Sequence, residues 1–223
     1  MTFPLELDHV VVFSAVDAPE ARAVEGAGFL GYGGTTQHGP VGSSSTSFFV
    51  DNAYLELFWL HDEAAAAQAH APTGDDITAR MRWRSTGASP FGVLVRRRAG
   101  VADPIPFPTT RLVFNGTPFE HAPAFARAVL HEPFVGVLPE DLTYPAWKAN
   151  IPVQSHPLGI EILTQVRITV PADHLSPVAQ LLTENGLVTF VPGASHLMEL
   201  VFDHGRKGKR VEIRPTLPLV LLY

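Results

Sequence analysis

The chain reads as an α+β protein built from repeated βαβββ units, and three observations predict it. Residues 7–60 run as a strand, a short helix and three further strands. Residues 161–223 repeat that order. Finally, two polar residues of the first segment, His9 and Glu56, recur as Gln165 and Glu212 at the same spacing of 156 positions. Self-similarity at a fixed offset is the sequence mark of a repeated structural unit.

In the first segment, LDHVVVFS is an apolar, β-branched strand. The helix after it has Asp17 as its expected N-cap, Pro19 in its first turn and Gly28 as its stop. GYGGTTQHG, SSSTSFFV and AYLELFWL then supply three strands separated by Gly, Asp and Asn turns. In the last segment LTQVRITV is a strand, and a helix opening at Asp173 or at Ser176-Pro177 carries Leu175, Val178, Leu181 and Leu182 on one face before it stops at Gly186. LVTFVPG, SHLMELVFD and KRVEIRP follow as strands, and the terminal LPLVLLY is an apolar edge candidate through which two copies could pair as a homodimer. The expected organisation is a first unit over 1–61, a degenerate middle unit or insertion over 62–160, and a C-terminal unit over 161–223. Within the middle, DEAAAAQAHA and DITARMRWR are helical, while SPFGVLVRRR, TRLVFNG and EPFVGVLPE are strands. The three prolines of ADPIPFPTT exclude a helix interior or a central strand, and TYPAWKANIPVQSHPLG reads as an extended linker.

Composition narrows the function. Sixteen basic against twenty-two acidic residues give a formal charge of −6, which disfavours nucleic acid and anionic membranes as partners. The basic run Arg206–Arg210 reads as a solvated turn. With no cysteine, disulfides, thiolate nucleophiles and cysteine-held zinc are excluded, so any metal must sit on nitrogen and oxygen. No segment reaches the roughly 20 apolar residues of a membrane span, and the first residues lack a secretory pattern, so a cytoplasmic protein is expected. No G-x-S-x-G, P-loop or dinucleotide fingerprint is present.

Strand faces single out candidate site residues. Side chains two apart share a face, so His9 lies with Val11 and Phe13, and Glu56 with Tyr54 and Phe58. A carboxylate among large apolar groups needs a partner or a metal. His38, in a glycine-rich segment, is a candidate ligand contact, as are the aromatic residues Phe58, Phe91 and Phe134 for an apolar pocket. Each also has an ordinary reading: His9 as a hydrogen-bonded packing residue, the aromatic side chains as core, and Glu212 as the partner of Arg210 and Arg214.

LDHVVVFS, the segment from Gly33-Gly34 to His38, AYLELFW and HPLG resemble the vicinal oxygen chelate superfamily, and within it the glyoxalase-like domain proteins. The likeness is good over the first sixty residues, moderate over the last sixty and weaker between. It implies βαβββ units curled into a mixed β-sheet cup with helices on the outer face. It further implies a divalent metal (Zn, Ni, Mn, Mg or Fe) held by His9, Glu56, Gln165 and Glu212, with Glu56 and Glu212 catalytic, and a small substrate whose vicinal oxygens chelate that metal during isomerase or lyase chemistry. The alternative is a metal-free small-molecule binding protein of the same fold. A pairing of the first unit with the middle segment would favour that alternative, because the positions then opposite His9 and Glu56 fall near Gly92 and Val135, neither of which binds metal.

Overall fold

The computed structural model describes residues 2–31, 34–114, 117–122, 130–148, 151 and 156–223. Gly33 of the expected glycine-rich segment lies outside them. The elements are β1 (Leu5–Phe13), α1 (Ala21–Gly26), β2 (Thr36–Gln37), β3 (Ser43–Phe49), β4 (Tyr54–Leu60), α2 (Glu63–His70), α3 (Ile77–Met81), α4 (Trp83–Thr86) and β5 (Phe91–Arg97). They continue as β6 (Thr110–Phe114), β7 (Thr117–His121), β8 (Phe134–Leu138), α5 (Tyr144–Lys148), β9 (Leu163–Val170), α6 (Pro177–Glu184), β10 (Thr189–Pro192), β11 (Leu197–Phe202), β12 (Arg210–Glu212) and β13 (Leu219–Leu222).

Eight strands form one curled mixed sheet in the order β2-β3-β4-β1-β5-β8-β7-β6. Its two halves mirror each other: β1 runs parallel to β4, β5 runs parallel to β8, and β1 and β5 meet antiparallel at the centre. The middle segment is therefore the second half of the cup. Its crossover, residues 98–109, holds the Pro-rich stretch where the first half has α1, because proline cannot sustain a helix interior. Across the open side of the half-barrel, α2 packs on the 3₁₀ turn Gly39–Val41 and on β6, so the chain between the halves closes the cup.

The C-terminal segment departs from the expected unit. It has the helix and the strands, but they form a separate five-stranded sheet in the order β10-β9-β11-β13-β12. LPLVLLY is no edge: β13 lies between β11 and β12, with Leu219, Val220 and Leu221 buried. The segment read as an extended linker carries α5, and β7 is a strand that the sequence reading did not assign.

Period-two alternation sorts the side chains. On β1, β4 and β5, Val10, Val12, Leu55, Leu57, Trp59, Val93 and Val95 face outward. They share one core with Val24 of α1, Val178 and Leu182 of α6, and Val166, Ile168, Met198 and Leu200 of the second sheet. That core is the main source of stability, at about 25 cal/mol per Å² of apolar surface removed from water. Two side-chain joints add to it. The Asn52 carboxamide donates to the Leu163 carbonyl and accepts from the Leu163 amide, both at 2.8 Å, as a neighbouring strand would. The buried Glu132 carboxylate accepts from the Ser176 amide and hydroxyl at the N-terminus of α6. Among the described residues no helix is long and apolar enough to cross a membrane.

Candidate functional site

The inward face of the first sheet bounds a cavity of about 360 Å³. Most of its wall is apolar: Val11 and Phe13 from β1, Phe58 from β4, Leu94 from β5, Phe119 from β7 and Phe134 from β8. Gly92 and Gly136 make room for two of these rings, since a Cβ at Gly92 would stand 2.2 Å from the Phe134 ring and one at Gly136 would stand 2.1 Å from that of Phe119. One patch of the wall is polar, formed by His9, Tyr54, Glu56, His38 and Ser45.

A local irregularity builds that patch. Consecutive strand residues normally point to opposite faces, but the β1–β5 register slips between Leu7 and His9. The slip leaves Asp8 and His9 side by side, and His9 Nδ1 donates to Asp8 Oδ1 at 2.8 Å. Asp8 is fully buried, and its second oxygen accepts from Arg96 Nη1 at 3.0 Å and from the Tyr144 amide at 2.9 Å. Arg96 in turn donates from Nε to Glu6 at 2.9 Å. On its cavity side, His9 Nε2 lies 3.3 Å from Glu56 Oε2 and 3.3 Å from the Tyr54 hydroxyl, with the imidazole stacked on the Tyr54 ring at 4.0 Å. His38 completes the patch: Nδ1 lies 3.1 Å from Ser43 Oγ, Nε2 lies 3.2 Å from Ser45 Oγ, and Nε2 lies 3.8 Å from Glu56 Oε1.

The charge states follow from these contacts. Burial on its own would raise the Glu56 pKa, but the hydrogen bond and positive charge of His9 outweigh it and hold the carboxyl at about 2. Burial would likewise lower His9, and the hydrogen bonds to Asp8 and Glu56 override it, so the imidazole is raised above its ordinary value. His38 is lowered, chiefly by burial. His9 is the largest of the groups that hold the carboxylate ionised, and His38 and a hydrogen bond from Ser45 act in the same direction. Burial and the two nearby carboxylates push the Tyr54 hydroxyl well above its usual range. The wall therefore presents an imidazolium clasped between two carboxylates, and Glu56 keeps acceptor capacity toward the cavity.

Of the residues expected at the site, His9, Glu56, His38, Phe58 and Phe134 line this cavity. Phe91 does not; it is fully buried in the core on the other face of β5. Gln165 and Glu212 do not either. They lie on the exposed outer face of the second sheet, where Glu212 pairs with Arg210 at 2.8 Å and with Arg214 at 2.7 Å. Nor are they neighbours, because β9 pairs with β10 and β11, whereas β12 pairs with β13. The expected four-ligand metal shell is thus not assembled. Among the described residues, the inward side chains of β5–β8 that line the cavity are apolar, and both nitrogens of His9 already have protein partners, Asp8 on Nδ1 and Glu56 and Tyr54 on Nε2. Among the described residues no group of three or more His, Asp or Glu side chains is arranged to hold a metal ion. The residues present do not fit the metal that the resemblance implies.

Sequence reasoning missed Asp8, Arg96, Tyr54 and Ser45. Tyr54 was legible as a neighbour of Glu56 on one face of β4; Asp8 was hidden by the bulge and Arg96 by its distance along the chain.

No protein-family model matches the chain, and no curated protein matches it. Among solved structures, it is similar to the crystal structure of a hypothetical protein from Staphylococcus aureus, with a TM-score of 0.57 and 8% identity over 97% of this chain and 98% of that one. This likeness extends to the fold alone. Fold and site together describe an α+β half-barrel whose largely apolar cavity carries a buried ionic patch in its wall.

Proposed function

We propose that this protein binds a small, largely apolar molecule in the cup, with a polar group of that molecule on Glu56 and His38 and without a metal. One observation carries the reading: a buried imidazolium–carboxylate pair, His9 and Glu56, stands in the wall of an otherwise apolar cavity. Burying charge is expensive unless it is paired, and strongly perturbed titratable groups in a cleft mark functional sites. The charge states favour binding over catalysis. Glu56, held at about 2, is a weak base near neutral pH, and its partner His9 is shifted toward the protonated form by Asp8 and Glu56. A second reading, proton transfer of the isomerase or lyase type, draws support from His38, a neutral imidazole in the same patch. The absence of cysteine and the acidic balance suit a cytoplasmic setting.

Calorimetric or NMR titration against a library of small aromatic and aliphatic alcohols and amines tests the proposal. Hits should weaken roughly tenfold or more in His9→Ala, as expected when a hydrogen bond to a charged group is disrupted, and their affinity should survive a chelator. Binding that disappears with chelation, or that ignores His9→Ala, would overturn it. Exchange of ligand C–H for solvent deuterium, dependent on His38, would favour the second reading.

A further inference from the structure

The cavity faces of β3 and β4 form three rungs, paired across the ladder as Phe49 with Tyr54, Ser47 with Glu56 and Ser45 with Phe58. Same-face neighbours along a strand stand about 7 Å apart, so the charged middle rung has aromatic rings on both sides. On the Tyr54 side, Trp147 of α5 also lines the cavity, its ring centroid 5.3 Å from that of Tyr54 and 5.5 Å from that of Phe49. Glu56 is within reach of a ligand as Asp8 is not: 11% of its side chain is accessible, against 0% for Asp8, and Ser47 beside it is half-buried. Among the described residues no Lys or Arg side chain lines the cavity, and Glu56 is its one carboxylate. Behind the wall, Glu6, Asp8 and Glu56 set three negative charges against His9 and Arg96, while the next cation, Arg98, is 40% exposed and reaches only Glu6 among them. The imidazolium of His9 is shared between Asp8 and Glu56 and does not cancel both. Glu56 is held ionised, at about 2, and burial disfavours the charged forms of His38 and His70, the other imidazoles on the wall.

We infer that the polar end of the cup is built for an ammonium group, seated on the Ser47–Glu56 rung between the rings of Phe49, Tyr54 and Trp147 on one side and Phe58 on the other. This rests on the binding function proposed above and names the chemistry of its polar end: an aryl- or alkylamine that is protonated at neutral pH. The ammonium N–H groups donate to the Glu56 carboxylate and to the Ser47 hydroxyl, and the negative faces of the flanking rings attract the cation. The apolar body of the ligand meets Leu94 and Phe134, which offer no hydrogen bond. An alcohol has one proton to give, so it reaches Glu56 alone and gains nothing from the rings as a cation would. A carboxylate would meet the negative charge of Glu56 with no Lys or Arg beside it.

Phenethylamine, phenethyl alcohol and phenylacetate share an aromatic body and differ at the polar end, which is cationic, neutral and anionic in turn at neutral pH. NMR titration of the whole chain should show the amine binding about tenfold tighter than the alcohol, the margin of a charge-assisted over a neutral hydrogen bond, and the acid binding weakest. Glu56→Gln should bring the amine and the alcohol to equal affinity. Ser47→Ala leaves the buried ionic network in place, so it serves even where Glu56→Gln fails to fold, and it should narrow the gap by about threefold. An alcohol that binds as tightly as the amine, and still weakens in His9→Ala, would overturn the inference while leaving the binding function intact. An amine preference that survives both substitutions unchanged would overturn it as well, by placing the cation elsewhere. If none of the three binds while other small molecules do, this inference falls alone; if no small molecule binds, the binding function falls with it.

Discussion

His9 and Glu56 on the cup sheet and Gln165 and Glu212 on the C-terminal sheet are alike in spacing and similar in residue type, yet their surroundings are opposite. The first pair is 5% and 9% exposed and is held by Asp8, Arg96, Tyr54 and Ser45. The second pair faces solvent, where Glu212 answers to Arg210 and Arg214 and a further arginine, Arg167, approaches Glu199. The difference arises because the first sheet is curled and completed by a second half, which turns one of its faces into an enclosure. The second sheet presents its apolar face to the shared core and its polar face to water. The state of a charged side chain follows from the enclosure around it, not from its place in a repeat.

The sharpest way to break this contrast is at Arg96. Arg96→Met removes one of the two cations beside fully buried Asp8 and leaves Asp8 and Glu56 to share the single imidazolium of His9, which should cost about 3 kcal/mol in urea denaturation, because a buried carboxylate short of a counter-charge is far less tolerable than a lost surface pair. A loss below about 1 kcal/mol would show that the buried network is no more demanding than an exposed pair.

Next in size is the pH dependence. Glu56 falls from 4.5 to about 2 on folding, so it contributes stability that is present above pH 4.5 and is lost as pH falls toward 2. His9, raised in the folded state, contributes in the opposite sense: its stability is full below 6.5 and is lost as pH rises through its folded pKa. The gap in stability between the wild type and Glu56→Gln should therefore be open at neutral pH and close progressively between 4.5 and about 2, as followed by denaturation at stepped pH. A gap that stays constant across that range would mean that Glu56 is not held ionised by its neighbours.

The smallest effect belongs to the other sheet. Glu212→Gln should leave the melting temperature and ligand affinity unchanged, because exposed pairs are screened by solvent and salt. A loss of binding in this variant would place the C-terminal sheet at the site after all and erase the contrast.

Much of the cup could be read from the chain. The phase of AYLELFW put Glu56 with Tyr54 and Phe58 on one face, and that face is the cavity wall. The phase of FGVLVRR could not be read, because an unbroken apolar run buried on both sides has no alternation, and so Phe91 was assigned to the pocket although it faces the core. The spacing of 156 misled for another reason: it aligns residues along the chain and says nothing about strand order, and an extra strand, β13, separates β12 from the rest of its sheet. Asp8 escaped because a one-residue bulge cancels the alternation on which face assignments depend.

The single layer of β1, β4 and β5 answers to two neighbours at once. Val10, Val12, Leu55 and Leu57 are committed to the core shared with the second sheet, whereas Val11, Phe13, Phe58 and Leu94 shape the room inside. The two sets interleave residue by residue and point to opposite faces. Single substitutions at alternate positions can thus reshape the cavity while the core-facing positions keep their packing.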